Sequence, residues 1–330
     1  MRRRRVHVTF PNAGPGKCHD PPGWAQAKTR CEVMSDLPPW VGGWCRSVLG
    51  AEPEESLFRG GYVSEVFGVR LADGREVVVK CRADESGRAD RCVMAQRLLA
   101  EQGFPCPMPL TNVIVGEGFA VHAERFFPGG EIETRDTPEV AARSGRLLAD
   151  LVRRLASLDL DPPLPNPEWL RWDARPEREA AAPAPAWMED TTRRVRSKLA
   201  ECDLPSVLGH ADWEAQNMRW RKGVAHAVYD WDSLAWLPEA AIAGSAAGIF
   251  AIHGEQPMLA PLESSEAFLD AYESERGARF STYETEIAWA ASIWEALHNA
   301  RDDVSYDRPK LRYERLKAER VERLTRAHAG

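Results

Sequence analysis

The sequence lacks the features that mark several large classes of protein. No apolar run approaches the ~18 residues that a helix needs to cross a bilayer. The basic start, Met1–Arg5, is not followed by the apolar stretch of a secretion signal. Seven cysteines, an odd number with no C-x-x-C pair, indicate neither a disulfide framework nor a zinc site. We therefore expect no membrane partner and a cytoplasmic location, where thiols stay reduced.

Charge is divided unevenly along the 330 residues. Residues 1–33 carry a net charge of +5, from seven Lys and Arg against two Asp and Glu, and the remainder carries −12, from 36 against 48. An acidic body repels nucleic acid and attracts cationic ligands, so we expect no nucleic-acid partner. With four prolines, three glycines and no periodicity, residues 1–33 are expected to form a dispensable disordered tail, which a deletion variant tests. The length of the remainder suits two lobes.

What the sequence does contain is a group of phosphoryl-transfer residues between positions 210 and 231. His210 and Asp212 are followed by Asn217 in the pattern H-x-D-x-x-x-x-N, and Asp230 comes later. Phosphoryl transfer from a nucleotide needs one carboxylate to orient the attacking hydroxyl, and an amide and a second carboxylate to hold magnesium. Asp212 is therefore the candidate base, Asn217 and Asp230 are candidate Mg²⁺ ligands, and His210 is expected to hold the loop.

The residues between Asn217 and Asp230 predict a β-hairpin. Met218–Trp220 is a short strand candidate, positions 221–223 are a turn, and Val224–Tyr229 is the returning strand. A hairpin would bring Asp230 back beside Asn217. This context matters because the bare motif also arises by chance in a chain of this length.

A second group of signals lies upstream. Leu57–Arg59 and Glu65–Leu71 are strand candidates on either side of the turn Gly60–Ser64, and an Asp-Gly turn then leads to a third strand that ends at Lys80. A strand, a glycine-containing loop and a lysine-bearing strand are how kinases cover nucleotide phosphates. Each signal alone is more typical of an ordinary turn or a solvated charge, but their order favours the kinase interpretation.

In these residues the chain resembles the aminoglycoside phosphotransferase and choline kinase superfamily, from about Leu57 to about Asp303. The resemblance implies an α+β, bilobal protein-kinase-like fold. It implies a small N-lobe at positions 34–125, with an antiparallel sheet and one main helix, and a larger, mainly helical C-lobe at positions 126–330. The anchors are Gly60–Ser64, Val77–Lys80, Gly103–Pro107, His210–Asn217 and Tyr229–Asp232.

The resemblance also implies ligands and a role for each matched residue. ATP, or alternatively GTP, would be the donor and Mg²⁺ the metal ion. Lys80 would bind the α- and β-phosphates, Asp212 would act as the base, and Asn217 and Asp230 would hold magnesium. The other predicted nucleotide-binding residues are Gly60, Gly61 and Ser64 in the phosphate loop, and Glu124 and Phe126 in the segment expected to receive adenine.

The usual partner of Lys80 is missing from the sequence pattern. Kinases pair this lysine with a glutamate on the next helix, here predicted over Gly87–Gln102, but Cys92 stands near that position. Asp90 is two residues away, and Gln96 is one turn further on. Either the carboxylate partner has moved or the lysine lacks one.

The C-terminal part is predicted to be helical and, by the resemblance, to surround the acceptor. Helix candidates are Thr137–Leu158, Met188–Glu201, Ser264–Glu275 and Glu284–Ala300. Charges on such helices are more often solvated, and tryptophans are more often part of the core. The candidate acceptor-pocket residues are Trp231 and the acids Asp232, Asp270, Glu295, Asp302 and Asp303.

The favoured function is ATP-dependent phosphorylation of a hydroxyl on a cationic small molecule, such as an aminoglycoside antibiotic, by a monomer or weak dimer. Such a reaction would confer antibiotic resistance. Choline, homoserine, a sugar or a macrolide stay open as acceptors, because acceptor pockets vary on one fold. A catalytically weak kinase-like sensor of a nucleotide or ligand is a second interpretation, favoured by Cys92. A metallohydrolase built on His210, Asp212 and Asp230 is a third, and no metal-ligand spacing in the sequence supports it.

Overall fold

The residues that the structure describes form eight α-helices and eleven strands in an α+β arrangement. The structure, a computed structural model, describes residues 37–61, 64–84, 86–160, 164–167, 170, 184–253, 256–305 and 311–330. The chain divides into a small unit, up to Glu101 and from Pro107 to Pro128, and a large unit, Gln102–Cys106 and Gly129–Gly330. The tail predicted over residues 1–33 lies outside the described residues.

The small unit is built on a five-stranded antiparallel sheet in the order β1-β2-β3-β5-β4. Gly74, in the turn between β2 and β3, has a φ of +84°, which glycine adopts without steric cost. The predicted Asp-Gly hairpin is therefore present. The strands are β1 Pro53–Gly60, β2 Glu65–Leu71, β3 Glu76–Ala83, β4 Ile114–Gly116 and β5 Phe119–Arg125.

The two faces of this sheet carry different side chains, because successive residues of a strand point to opposite sides. One face packs against helix α1 (Pro39–Trp44) and the π-helical turn that continues it (Cys45–Leu49). The other face carries Lys80 and Glu124, and helix α2 (Arg88–Glu101) reaches Glu124 through one side chain. The buried core of the first face is Val41, Trp44, Cys45, Phe67, Val69, Leu71, Val77, Val79, Cys81, Val121 and Ala123.

The large unit is mainly helical, as the resemblance implies. Helix α3 begins at Pro138, directly after Thr137, and α6 is followed by Gly277, whose φ of +81° is a left-handed conformation that often ends a helix. The helices are α3 Pro138–Leu155, α4 Ala186–Ala200, α5 Glu239–Ile249, α6 Leu262–Arg276, α7 Thr282–Ser305 and α8 Leu311–Arg326.

Two short antiparallel sheets of the large unit carry the predicted catalytic motif. Strand β6 (Ser206–His210) pairs with β9 (Leu234–Pro238), and β7 (Met218–Arg221) pairs with β8 (Val224–Val228). The turn between β7 and β8 has positive φ at both Lys222 and Gly223, as in the tightest hairpins. The predicted hairpin is therefore present.

Several elements were not predicted from the sequence. They are β4, β9, α5, α8 and the pair β10 (Ala251–His253) and β11 (Gln256–Met258). Throughout the described ranges, the helices are too short or too polar to span a bilayer.

Candidate active site

His210 ties the two halves of the catalytic motif together. It is the last residue of β6 and is fully buried. Its Nε2 lies 3.0 Å from the carbonyl oxygen of Tyr229, the residue before Asp230. Burial lowers the pKa of His210, so a neutral ring donates this bond. The ring also packs edge-on against Trp213 and Trp231. These contacts suit a residue that holds the loop.

Asp212 and Asn217 are joined by direct hydrogen bonds. The Nδ2 of Asn217 donates to the Oδ2 of Asp212 over 2.9 Å and to the Asp212 carbonyl over 3.0 Å. The next residue of the loop is anchored to α3, since Trp213 donates its indole N–H to Ser144. The five-residue spacing therefore places both side chains of the motif in one short loop.

The β7–β8 hairpin returns the chain to this loop. Tyr229 donates its N–H to the Asn217 carbonyl over 2.8 Å, so the next residue, Asp230, lies beside the motif. Asp230 has a φ of +58°, a left-handed conformation that aspartate tolerates better than most residues, and its Oδ2 accepts a bond from Ser233 over 3.0 Å. The hairpin and the turn after it thus place the second carboxylate, that of Asp230.

The residues present fit a divalent cation. Asn217 donates through Nδ2, so its Oδ1 is the atom left to accept, and Mg²⁺ prefers carboxylate and amide oxygens. Burial, followed by the charge of Asp230, raises the pKa of Asp212 to about 7. A divalent cation at Asn217 and Asp230 would supply the positive charge that this pair of carboxylates lacks.

Two further carboxylates lie beside Asp212. Oxygens of Asp212, Glu214 and Glu295 all lie within 4.8 Å of one another. Burial and then the charge of Asp212 raise the pKa of both Glu214 and Glu295 well above the usual range. Arg312 offsets part of this effect, but its guanidinium is already bonded to Asp303 at 2.8 and 3.0 Å. Among the described residues, these three carboxyls therefore cannot all be ionised together without a bound cation.

In the small unit, Lys80 has a carboxylate partner on the neighbouring strand. Its Nζ lies 3.1 Å from Oε1 of Glu124, and these side chains are 12% and 2% exposed. Gln96 of α2 donates its Nε2 to the other oxygen, Oε2, over 2.9 Å. Cys92, at the expected glutamate position, is buried in α2. The carboxylate partner of Lys80 has therefore moved from the helix to strand β5, which is one of the two alternatives that the sequence left open.

The predicted phosphate loop contains one glycine that cannot be replaced without strain. Gly61 has a φ of +98°, and a Cβ there would come within 1.9 Å of the Ser64 carbonyl oxygen. A bare backbone at this point is what a loop that approaches phosphates requires. Positions 62 and 63 lie outside the described residues.

Glu124 and Phe126, expected to receive adenine, make other contacts. The carboxylate of Glu124 contacts Lys80 and Gln96, and a role for this residue in nucleotide binding stays a prediction. Phe126 donates its N–H to the carbonyl of Glu76, and its ring lies 5.7 Å from that of Phe58. A role for Phe126 in nucleotide binding stays a prediction.

The structure separates the predicted acceptor residues into different surroundings. Trp231 is 1% exposed and donates to the Val228 carbonyl, so it is a core residue rather than a stacking surface. Asp270 is 68% exposed and pairs with Arg279, and Asp303 is buried against Arg312, so neither joins the acidic group. Glu295 does join it. Asp232 is half-buried in the turn after Asp230, and the side chain of Asp302 lies outside the described set.

Glu214 is the site residue that sequence reasoning missed. It lies two positions after Asp212, at one of the variable positions of H-x-D-x-x-x-x-N. Its signal was an acidic residue in an apolar setting between Trp213 and Ala215. The structure buries it to 5% exposure.

Comparison with known proteins identifies a family for this arrangement. The model of the phosphotransferase enzyme family matches residues 54–241, which include Lys80, Asp212, Asn217 and Asp230. A search of curated protein sequences finds no significant match.

Solved structures of small-molecule kinases share the fold. The amicoumacin kinase hAmiN is 12% identical with a TM-score of 0.63, covering 89% of this chain and 96% of that one. A choline/ethanolamine kinase family protein from Mesorhizobium loti is 20% identical with a TM-score of 0.55, covering 91% and 98%. A putative aminoglycoside phosphotransferase from Ralstonia eutropha is 14% identical with a TM-score of 0.56, covering 88% and 96%. At these identities the likeness concerns the fold.

Proposed function

The chain belongs to the phosphotransferase enzyme family, and we propose that it transfers the γ-phosphoryl group of ATP to a hydroxyl of a cationic small molecule. The observation that carries the proposal is the hydrogen-bonded pair of Asp212 and Asn217, with Asp230 returned beside it by the β7–β8 hairpin. These are the groups that phosphoryl transfer requires, in one loop and one turn.

Asp212 orients the acceptor hydroxyl and takes its proton late in the transfer. As the new bond forms between the acceptor oxygen and the γ-phosphorus, the bond from that phosphorus to the β–γ bridging oxygen breaks, and ADP leaves. Lys80 neutralises oxygens of the α- and β-phosphates. Mg²⁺, held by Asn217 and Asp230, would neutralise further phosphate charge. The hAmiN structure holds AMP-PNP and Ca²⁺, which supports a nucleotide and a divalent cation for this chain too.

The acidic group beside Asp212 supports a cationic acceptor. Glu214 and Glu295 place carboxylate oxygens within 4.8 Å of those of the base. An ammonium group that meets them would therefore lie close to the reacting hydroxyl, as in an amino alcohol with the two groups on neighbouring carbons. Burial and then the charge of Asp212 raise the pKa of both glutamates, and a paired cation would favour their ionised forms. We place the activity in the cytoplasm, where ATP is available, in a monomer or weak dimer.

A coupled assay of ADP release with Mg²⁺ and ATP tests the proposal. Kanamycin, streptomycin, hygromycin B and choline serve as cationic acceptors, homoserine as a small amino alcohol, erythromycin as a macrolide, and glucose as a neutral hydroxyl compound. ADP release stimulated by one of the cationic compounds and by neither glucose nor buffer supports the proposal. ADP release with glucose alone would contradict the cationic acceptor and leave the phosphotransferase intact.

Replacing the base separates catalysis from nucleotide binding. We expect Asp212→Asn to lower kcat roughly 100- to 10,000-fold, because a positioned general base contributes about that much. The Kd for ATP should change little, since Asp212 acts on the acceptor. Asp230→Asn, by contrast, should weaken Mg²⁺-dependent ATP binding. Turnover at the wild-type rate in Asp212→Asn would end the assignment of this residue.

A further inference from the structure

The contact between Lys80 and Glu124 is built into a single sheet. The two residues lie on β3 and β5, which are hydrogen-bonded neighbours, with Lys80 opposite His122 and Val78 opposite Glu124. Lys80 and Glu124 are therefore diagonal neighbours on one face, and the 3.1 Å contact needs no movement of either strand. Adjacent strands of one sheet are held at a fixed spacing by their ladder of hydrogen bonds.

Both oxygens of the Glu124 carboxylate are occupied. Oε1 faces Lys80, and Oε2 accepts the 2.9 Å bond from Gln96. The same Nε2 of Gln96 also donates to the Pro107 carbonyl over 2.7 Å, and Gln96 is 1% exposed. Helix α2 thus contributes a neutral amide to this group rather than a charge.

The neighbouring histidine does not replace Lys80 as the cation. Nε2 of His122 lies 4.0 Å from Oε2 of Glu124, beyond hydrogen-bond distance. Burial and the nearby charges of Arg82 and Lys80 hold the pKa of His122 well below its usual range, so its ring is neutral. Among the residues that the structure describes, Lys80 is therefore the cation in contact with the Glu124 carboxylate, and removing that carboxylate changes the environment of Lys80 directly.

We propose that Glu124 is the positioning residue for Lys80, replacing with a strand carboxylate the helix glutamate that other kinases use. Lys80 is then held for the nucleotide phosphates by the sheet itself, and a displacement of α2 does not break the pair. Gln96 fixes the rotamer of Glu124 from the helix side. The inference rests on the proposed function, in which Lys80 meets the phosphates, and it assigns the group that directs Lys80 toward them.

The test uses a charge-removing variant and a variant that moves the charge. Glu124→Gln keeps the shape and removes the carboxylate. The double variant Gln96→Glu with Glu124→Gln moves the carboxylate to the helix, one hydrogen bond away. Glu54→Gln, at an exposed position of β1, is the matched control. All four proteins, wild type included, are measured in full length for the Kd and KM of ATP, kcat, melting temperature, and the rate at which a small acylating reagent modifies Lys80.

We expect Glu124→Gln to raise the KM and Kd of ATP by roughly 10- to 100-fold, the effect of losing a hydrogen bond between charged groups, with a smaller change in kcat. Acylation of Lys80 should become faster, because its ammonium group is no longer held. The double variant should recover part of both effects, and Glu54→Gln should match the wild type. A purely structural role would lower the melting temperature without moving the labelling rate of the folded protein.

Two results would overturn the proposal. One is a folded Glu124→Gln with wild-type KM for ATP and wild-type labelling of Lys80. The other applies if Glu124→Gln does not fold: a folded double variant in which Lys80 is labelled as fast as an exposed lysine. If no acceptor stimulates ADP release by the wild type, the Kd of ATP and the labelling rate of Lys80 still test the role of Glu124. If the wild type does not bind ATP, the proposed function fails, and labelling alone reports on the pair.

Discussion

At the scale of the residue, the described side chains form two charge arrangements of opposite kinds, one in each unit. Lys80 and Glu124 balance each other in a buried pair, whereas Asp212, Glu214 and Glu295 lie together with only the partial compensation of Arg312. The first arrangement removes the observation that favoured a weak sensor, since Lys80 has its carboxylate after all. The second is unstable on its own and becomes favourable when a cation is bound.

The acidic group predicts how stability depends on pH when no cation is present. Raised pKa values mean that the folded protein binds protons more tightly than the unfolded chain. The stability that this tighter proton binding contributes is therefore fully present below the ordinary carboxyl pKa of about 4. It is lost as the pH rises through about 7, the pKa of Asp212. In a chelating buffer, the melting temperature should fall between about pH 5 and about pH 8, and Mg²⁺ with ATP should oppose the fall.

Removing one of these carboxylates should stabilise the protein and weaken its function. We expect Glu295→Gln to raise the melting temperature at about pH 8 by about 2–4 °C, as relief of about 1 kcal/mol does for a domain of about 200 residues. Its KM for a cationic acceptor should rise, with the KM for ATP unchanged. Glu263→Gln, at an exposed position of α6, is the control. A lower melting temperature at that pH would show that Glu295 is not repelled by its neighbours.

At the scale of the element, small residues let the helices of the large unit approach closely. A Cβ on Gly244 would come within 2.0 Å of the Ala288 carbonyl oxygen, and one on Gly248 within 2.0 Å of the Ser292 carbonyl oxygen. Helix α5 therefore rests directly on the backbone of α7, the helix that carries Glu295. Ser245 of α5 also donates to Glu295 over 3.2 Å. Backbone contact between these two helices thus helps to place one carboxylate of the site.

A methyl group added at this contact between helices should lower the stability of the protein. We expect Gly248→Ala to lower the free energy of unfolding by about 1–3 kcal/mol, because the methyl group meets backbone atoms that cannot rotate away. Gly42→Ala in α1 is the matched control: apart from its chain neighbours and the backbone of its own helix, no heavy atom lies within 4 Å of the added methyl group, so the stability of this variant should be unchanged or slightly higher. Urea unfolding of both variants compares them. Equal stability of Gly248→Ala and the wild type would contradict the close approach.

Helix α5 also shows why some elements were not predicted. Its residues 240–249 are small and almost entirely apolar and are buried on most sides, so the sequence has no alternation between a polar and an apolar face. A helix buried all round lacks the period on which prediction depends. The hairpins, in contrast, depend on local turn chemistry and were predicted at or near their observed positions.

At the scale of the whole molecule, the net charge of −7 should guide acceptor binding. With ATP at saturation, kcat/KM for a polycationic acceptor should fall several-fold between about 20 mM and about 500 mM salt, because exposed charges are screened over about 10 Å at 0.1 M. The value for a neutral acceptor should change little. Equal salt dependence for both acceptors would exclude electrostatic guidance.

The sequence by itself determined the family, the fold class and the phosphotransferase motif, because these depend on local spacing: five residues from Asp212 to Asn217, a hairpin to Asp230, and a lysine at a strand end. Only the tertiary structure decided which charged side chains lie next to one another. Glu124 reaches Lys80 across a strand ladder, and Glu295 joins Asp212 from a helix far along the chain. Such pairs depend on strand register and helix packing, which no local spacing encodes.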